Sequence, residues 1–191
     1  MESSRKLTGL LIIDIQKDYF EGGRMPLVEP LAASEIAGEL LRLFRLRNMP
    51  VFHVHHVSTK PNASFFLPDT EGIIPDPLVA PAEGEVVIIK HHPNSFHDTD
   101  LNRKLREHNV KNLVIVGMMT HMCIDSTTRA ASDLGYNCNL IYDGCATMDL
   151  AISDHTISSI NVHDAFMAAL NGTFAKVMKF SEFLMNIDDL M

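Results

Sequence analysis

Three residues whose side chains could together carry out acyl transfer follow three separate apolar segments. Asp14 follows "LLII", Lys90 follows "VVII", and Cys123 follows "VIVGMMTHM". A thiolate can attack a carbonyl carbon, and a carboxyl group of raised pKa can take the thiol proton and later protonate a leaving amine. An ammonium group between them would stabilise both anions. These residues form a candidate catalytic set if the fold brings them together.

Short apolar segments alternate with segments of helical periodicity along the whole chain, which predicts a parallel sheet covered on both faces. We therefore expect an α/β fold, a three-layer α/β/α sandwich, in a single domain over residues 1–191. The predicted strands are Gly9–Asp14, Val51–His56, Val86–Lys90, Asn112–Gly117, Asn137–Asp143 and Ala175–Phe180. The predicted helices are Leu31–Asn48, Thr99–His108, Met122–Leu134, Ala151–Leu170 and Ser181–Met185.

The predicted topology would place the candidate residues at one edge, because ligands bind beyond the carboxyl ends of the strands in open α/β sheets. Cys123 would lie at the start of a helix, where backbone N–H groups and the helix dipole favour a thiolate and could bind an oxyanion. Together with Lys90, this position predicts a thiol pKa below its ordinary value. Taken singly, each residue also has a structural interpretation: a turn cap for Asp14, a solvated side chain for Lys90 and a core thiol for Cys123.

Composition narrows the class of protein. The chain has 191 residues, 46% of them hydrophobic, and a formal net charge of −8, which argues against non-specific nucleic-acid binding. No apolar run approaches the roughly 20 residues needed to span a bilayer, and "MESSRKLTG" is too polar for a signal peptide. We expect a cytoplasmic protein with no membrane association, whose other two cysteines, Cys138 and Cys145, are inert thiols. The first strand is followed by "DIQKDYF" rather than a glycine-rich phosphate loop, which argues against dinucleotide binding.

Four segments, in order, resemble the isochorismatase-like cysteine hydrolase superfamily, which includes nicotinamidases, N-carbamoylsarcosine amidases, ureidoacrylate amidohydrolases and isochorismatases. They are "LLIIDIQKDYF", "VVIIKHHPNSFHDTDLNRKL", "VIVGMMTHMCIDSTTRAASDLGY" and "LIYDGCAT". The resemblance covers roughly residues 8–180. It implies a six-stranded parallel sheet of order 3-2-1-4-5-6 and a catalytic triad of Asp14, Lys90 and Cys123.

The resemblance also implies several features that the residues alone do not predict. A cis peptide bond would join Met118 to Met119, and the backbone N–H groups of Met119 and Cys123 would form the oxyanion hole. The substrate pocket would be lined by Tyr19 or Phe20, Phe96, His121 and the loop residues Phe65 and Phe66. Apart from the resemblance, we expect Gln16, Asp18, Ser126 and Thr127 to hold the loops of the site and Asp143 to tie its turn, and we expect Arg129 to anchor either a helix face or a subunit contact.

The sequence departs from the metal-binding pattern of the nicotinamidases in this superfamily, an Asp-x-His pair after the second strand. "FHVHHVS" has His53, His55 and His56 but no aspartate. His53 and His55 could still bind zinc if His91 or His92 joined them. We expect no metal and no cofactor, with the histidines serving the pocket or its hydrogen bonds.

The expected reaction is hydrolysis of a small amide, ureide or carbamoyl C–N bond through a thioester on Cys123. The alternatives are a metal-assisted nicotinamidase-like hydrolase, an isochorismatase-type hydrolase of an enol ether, and a non-catalytic α/β binding module. The expected partners are a small-molecule substrate and further copies of the chain, as a homo-oligomer. The long segment from Val57 to Gly84 is either a binding loop or a surface excursion.

Overall fold

A six-stranded parallel sheet forms the centre of the protein in the computed structural model, which describes residues 7–187. The sheet strands are β1 (Leu7–Ile13), β2 (Val51–His56), β3 (Val86–Lys90), β4 (Val110–Met118), β5 (Asn137–Ala146) and β8 (Lys176–Met178), and a separate hairpin supplies β6 (Leu150–Ile152) and β7 (His155–Ile157). The strands of the sheet lie in the order β3-β2-β1-β4-β5-β8, which confirms the predicted order.

Helices cover both faces of the sheet, as the strand composition predicts. Alternate residues of β1 enter two separate cores: Leu10 and Ile12 pack on one side, and Leu11 and Ile13 on the other. The helices are α1 (Pro30–Leu46), α2 (Leu101–Glu107), α3 (Asp125–Asp133), α4 (Ser159–Leu170) and α5 (Phe180–Met185). Buried residues of α1 and α5 belong to the first core, and those of α2, α3 and α4 contribute to the second. Across residues 7–187, no helix combines the length and the apolar character that crossing a membrane requires.

The predicted helix over residues 151–170 is wrong in its first half. Leu150–Ile152 (β6) and His155–Ile157 (β7) pair as an antiparallel hairpin, and the helix begins only at Ser159. Ser153 has a φ of 53°, which a helix cannot contain, and the β-branched residues on either side favour strands. Asp149 Oδ1 then accepts the Ser159 N–H at 2.7 Å and so satisfies one free donor of the helix start.

Other predicted boundaries also differ from the structure, most of them by one or two residues. The fifth strand runs on to Ala146 instead of ending at Asp143, and Phe180 begins α5 rather than ending the last strand. The predicted helix from Met122 is preceded and partly replaced by a π-helical turn, Thr120–Ile124, with α3 following from Asp125. Cys123 therefore lies inside the π-helical turn.

The connection from residue 57 to 84 packs against the protein and contains two short 3₁₀ turns, Glu71–Ile73 and Pro77–Val79. Gln16 donates from Nε2 to the Ile73 carbonyl at 2.8 Å, and Asp18 accepts the Phe66 N–H. A Cβ at Gly72 would lie 2.3 Å from the Asp18 carboxylate, so only glycine fits against it. These contacts confirm that Gln16 and Asp18 hold a loop, and they bury Phe66.

The end of β1 is fixed by its close approach to β4. Gly117 has a φ of 139°, and a Cβ there would lie 2.0 Å from the Ile13 carbonyl oxygen. The next residue, Asp14, has a φ of 53°, in the left-handed region that L-residues seldom occupy. This unfavourable conformation is maintained by the buried surroundings and turns the Asp14 side chain at the carboxyl edge of the sheet.

Candidate active site

Asp14, Lys90 and Cys123 come together at the carboxyl edge of the sheet, as the sequence predicts. Lys90 Nζ lies 2.6 Å from Asp14 Oδ2 and 3.2 Å from Cys123 Sγ. Asp14 and Lys90 are fully buried, and Cys123 is 5% exposed. A carboxyl group, an ammonium group and a thiol thus share one buried site, and of the three residues only Cys123 retains any exposed surface.

Lys90 reaches this site from a strand that is not adjacent to β1. Because β2 lies between β3 and β1, the side chain must cross β2, and it does so beside His56, its partner in strand register. Nζ donates to the His92 carbonyl at 3.0 Å and lies 3.1 Å from His56 Nδ1. These contacts hold the ammonium group between Asp14 and Cys123.

The buried charges set the protonation of the site. Burial raises the pKa of Asp14, although the Lys90 charge opposes this shift. Burial opposes the charged form of Lys90, but Asp14 and Cys123 raise the pKa of Lys90 above its ordinary value. The Lys90 ammonium group therefore offsets part of the cost of burying negative charge on Asp14, because each buried charge compensates the other.

The predicted low pKa of the thiol is wrong for the resting site. Burial raises the pKa of Cys123 well above its usual range, and the Asp14 carboxylate raises it further, outweighing Lys90. The sequence showed two features that would lower this pKa, the positive charge of Lys90 and the start of a helix. It could not show how completely Cys123 is removed from water. The proton at rest belongs on sulfur, beside a carboxylate of raised pKa that can accept it.

His56 is the residue of the site whose role the sequence did not resolve. Its ring stacks on Phe66 with centroids 5.6 Å apart, and its backbone N–H donates to Gln16 Oε1 at 2.7 Å. Burial and the Lys90 charge lower the pKa of His56 to about 3, so the ring is neutral and Nδ1 accepts from Lys90. The role of His56 could have been inferred from the register of β2 and β3, because residue 56 pairs with residue 90.

The π-helical turn that carries Cys123 is held from two neighbouring segments. Thr120 Oγ1 lies 2.9 Å from His163 Nδ1 on α4, and His121 Nδ1 lies 2.6 Å from Thr147 Oγ1, just after β5. The peptide bond between Met118 and Met119, which leads into the turn, is cis. These contacts hold the part of the turn that precedes the nucleophile candidate.

The predicted pocket residues occupy different surroundings. Tyr19 is buried and packs edge-on against Phe66 at 4.7 Å, and this burial raises its pKa well above its ordinary value. Phe96 packs on the Tyr136 ring at 6.1 Å. Phe20 lines a separate cavity of about 540 Å³ with Lys17, Gly22 and Glu71. Contact of these residues, and of His121, with a substrate stays a prediction.

The zinc ligand set that the sequence left open does not assemble. His53 Nε2 lies 2.8 Å from Glu85 Oε2, and the His53 and His55 rings are 6.3 Å apart. Within residues 7–187, neither histidine joins two further groups that could hold an ion. Ligand atoms of Asp14, His56 and Cys123 do lie within 4.8 Å of one another, but Lys90 Nζ is already among them. The residues do not fit the nicotinamidase metal pattern.

Residues around the site hold its loops as predicted. Thr127 Oγ1 accepts the Ser95 N–H at 3.0 Å, which ties the loop after β3 to α3. Asp143 Oδ1 accepts the Phe180 N–H at 2.8 Å, a structural role. Arg129 pairs with Asp125 and lies over the Phe174 ring at 4.5 Å, so it anchors the outer face of α3.

The sheet order and the buried cluster of Asp14, Lys90 and Cys123 define a three-layer α/β protein with a candidate catalytic triad. The Isochorismatase domain family matches residues 8–180. The chain is 51% identical over 177 residues to the isochorismatase family protein YddQ of Bacillus subtilis, covering 93% of this chain and 98% of that protein. It is 24% identical over 182 residues to the nicotinamidase of Escherichia coli, covering 76% of this chain and 85% of that enzyme.

A solved structure gives the same result. The crystal structure of an isochorismatase hydrolase from Oleispira antarctica matches with a TM-score of 0.92 and 47% identity, covering 97% of this chain and 100% of that chain. The chain belongs to the isochorismatase family, and it is a hydrolase of that family.

Proposed function

We propose that this hydrolase cleaves the C–N bond of a small amide, ureide or carbamoyl compound through a thioester on Cys123. One observation carries the proposal: a single ammonium group, Lys90 Nζ, lies 2.6 Å from a buried carboxylate and 3.2 Å from a buried thiol. This arrangement couples a nucleophile, a proton acceptor and a stabilising cation within one small volume. The nicotinamidase relative, an amidase by name, supports the same class of substrate.

In the acylation step, Cys123 Sγ attacks the carbonyl carbon while its proton passes to Asp14. The raised pKa of Asp14 suits it to accept this proton, because its carboxylate is disfavoured by burial. The C–N bond then breaks, and Asp14 returns the proton to the leaving nitrogen. Ammonia or an amine departs, and the acyl group remains on sulfur as a thioester.

In the deacylation step, a water molecule attacks the thioester carbon and gives one proton to Asp14. The C–S bond breaks, the acid leaves, and the proton returns to the Cys123 sulfur. Lys90 keeps its proton throughout, because its pKa is raised by the two groups beside it. Its role is to orient Asp14 and to stabilise the sulfur anion as negative charge develops there.

The oxyanion of each tetrahedral intermediate requires donors near Cys123. The backbone N–H groups of Met119 and Cys123 are our candidates, because both lie at the π-helical turn that carries the sulfur. Backbone donors of this kind stabilise charge without having to reorganise during the reaction.

A thiol nucleophile favours attack at a carbonyl carbon over hydrolysis of an enol ether, since only the former passes through a thioester.

The proposal is tested with a panel of small amides and ureides, read by ammonia release from the wild-type protein and from Cys123→Ala. We expect Cys123→Ala to lower the turnover of any accepted substrate by at least about a thousandfold, as removal of a nucleophile does in related mechanisms. The wild-type protein, quenched during turnover, should carry the acyl mass on the peptide that contains Cys123.

The matched control is Cys138→Ala, which removes another buried thiol and should leave turnover within about twofold of wild type. Circular dichroism should show the same fold for both variants. Full turnover by Cys123→Ala on an accepted substrate would overturn the thioester mechanism.

A further inference from the structure

The loop that follows β3 brings two imidazoles and a carboxylate together on the surface. His97 Nε2 lies 3.3 Å from Asp98 Oδ2, and His92 Nε2 lies 4.0 Å from the same oxygen. The rings of His92 and His97 have centroids 4.2 Å apart. One ligand atom from each of the three residues falls within 4.8 Å of the others.

These separations are close to those that a metal ion requires. Zinc bonds to nitrogen and oxygen of about 2.0–2.1 Å place tetrahedral ligand atoms roughly 3.4 Å apart. The His97–Asp98 distance already meets this value, and the His92–Asp98 distance needs a movement of about half an ångström, which an exposed side chain can make.

The chemistry of the three groups selects a class of ion. Neutral imidazoles favour Zn²⁺, Co²⁺, Ni²⁺ and Cu²⁺ over Mg²⁺ and Ca²⁺, which prefer oxygen ligands alone. Asp98 has a φ of 52°, so the chain adopts an uncommon backbone conformation at the residue that supplies the carboxylate. All three residues are exposed, so an ion could reach them without passing through the protein.

The inner side of the same loop contacts the catalytic cluster. The backbone carbonyl of His92 accepts from Lys90 Nζ at 3.0 Å, and the Ser95 N–H donates to Thr127 Oγ1. An ion held by residues 92, 97 and 98 would therefore link the two ends of the loop segment that supports Lys90. It would lie outside the cluster of Asp14, Lys90 and Cys123.

We propose that His92, His97 and Asp98 form a binding site for one divalent transition-metal ion of the Zn²⁺ class, which fixes the loop after β3. The site differs from the histidines of β2, and the ion takes no part in the reaction proposed above. Because three protein ligands leave at least one position for water, we expect micromolar rather than structural affinity. The inference stands whether or not the protein proves to be an amidase.

The test uses untagged Cys123→Ala protein, so that the thiol of the catalytic cluster cannot act as a ligand. Titration with Co²⁺ is followed by its visible d–d absorbance, and titration with Zn²⁺ by calorimetry. We expect one ion per chain and a higher melting temperature with the ion present, since a ligand that binds only the folded state stabilises it. Adding His97→Ala or Asp98→Asn to this protein should weaken binding at least tenfold.

The matched control is His155→Ala in the same background. His155 Nδ1 lies 3.6 Å from Asp154 Oδ1 on the surface, an exposed pair that no third ligand joins within residues 7–187, and the loss of His155 should leave affinity unchanged. Binding weaker than millimolar, or binding that His97→Ala and Asp98→Asn leave unaltered, would overturn the proposal. Binding seen in wild type but lost in Cys123→Ala would also overturn it, by placing the ion at the thiol.

Discussion

Lys90 and His56 are partners in register on neighbouring parallel strands, and the Lys90 ammonium group lies 3.1 Å from His56 Nδ1. The same ammonium group contacts Asp14 and Cys123, so His56 supports it from the side of β2. An imidazole can accept a hydrogen bond here only while it is neutral, and burial beside Lys90 keeps it so. His56 thus positions Lys90 without itself touching the sulfur in the contacts that the structure shows.

Replacing His56 with Phe should lower kcat by about 10–100-fold and change KM much less. The phenyl ring can keep the stacking on Phe66 but cannot accept from Lys90, and one lost hydrogen bond to a charged group costs about 1.5–3 kcal/mol. Steady-state kinetics on an accepted substrate measures both constants.

The control for this variant is His55→Phe, because His55 is the neighbouring residue and lies on the opposite face of β2. His56→Gln, which restores an acceptor, should recover part of the lost kcat. If His56→Phe raised KM alone, His56 would act on the substrate rather than through Lys90.

Replacing Lys90 with Met should destabilise the protein by about 3–5 kcal/mol, because the Asp14 carboxylate would remain buried without its partner. The double variant Asp14→Asn/Lys90→Met should recover most of this loss while staying inactive. Urea unfolding at pH 7 measures the free energy of unfolding of the single and the double variant. Lys17→Met removes an exposed pair with Glu71 and should change stability by less than about 1 kcal/mol.

The double variant decides between two explanations of the loss. Equal destabilisation of the single and double variants would show that Lys90 contributes packing rather than charge compensation.

The Cys123 thiol should react slowly with iodoacetamide at pH 7, and its rate should rise as pH increases above 8. Burial and the Asp14 carboxylate raise its pKa, so little thiolate exists at neutral pH without substrate. Asp14→Asn removes the negative charge and should increase the rate at pH 8, although it abolishes turnover. Lys90→Met removes the positive charge and should decrease the rate of reaction with iodoacetamide.

Peptide mass spectrometry assigns the label to Cys123 rather than to Cys138 or Cys145. A rate that is already at its plateau at pH 7 in the wild-type protein would contradict the raised pKa.

Replacing Gly117 with Ala should lower the free energy of unfolding by more than about 3 kcal/mol, which is the largest cost that a single strained backbone residue usually carries. A Cβ at this position would lie 2.0 Å from the Ile13 carbonyl oxygen, and moving Ile13 would displace Asp14. Turnover should therefore fall with stability. At Gly84, whose φ is 87° with open space around it, the same change should cost only about 1–2 kcal/mol.

The candidate site was predictable because its residues end strands. Parallel strands deliver their carboxyl ends to one edge, so Asp14 and Lys90 had to lie along the same edge of the sheet whatever the details of the loops. The reach of Lys90 across β2 could not be predicted, because it depends on where a flexible side chain finds partners. His92 supplies one partner from its backbone and His56 another from its ring.

The first half of the predicted helix over residues 151–170 failed for a local reason. The segment from Leu150 to Ile157 contains β-branched residues and a turn at Ser153, and its apolar residues fitted a helical spacing as well as a strand. Short apolar segments do not distinguish the two when no cap or glycine separates them.

The sequence by itself determined the class of fold and, once the family was recognised, the order of the strands in the sheet. It also identified Asp14, Lys90 and Cys123 as the candidate catalytic residues. It did so because apolar periodicity and strand ends are local properties of the chain. Only the tertiary structure decided the charge states, since burial depends on every segment packed around the site. It showed that burial raises the pKa of the Cys123 thiol, which the sequence predicted to be low, and that His56 supports the Lys90 ammonium group.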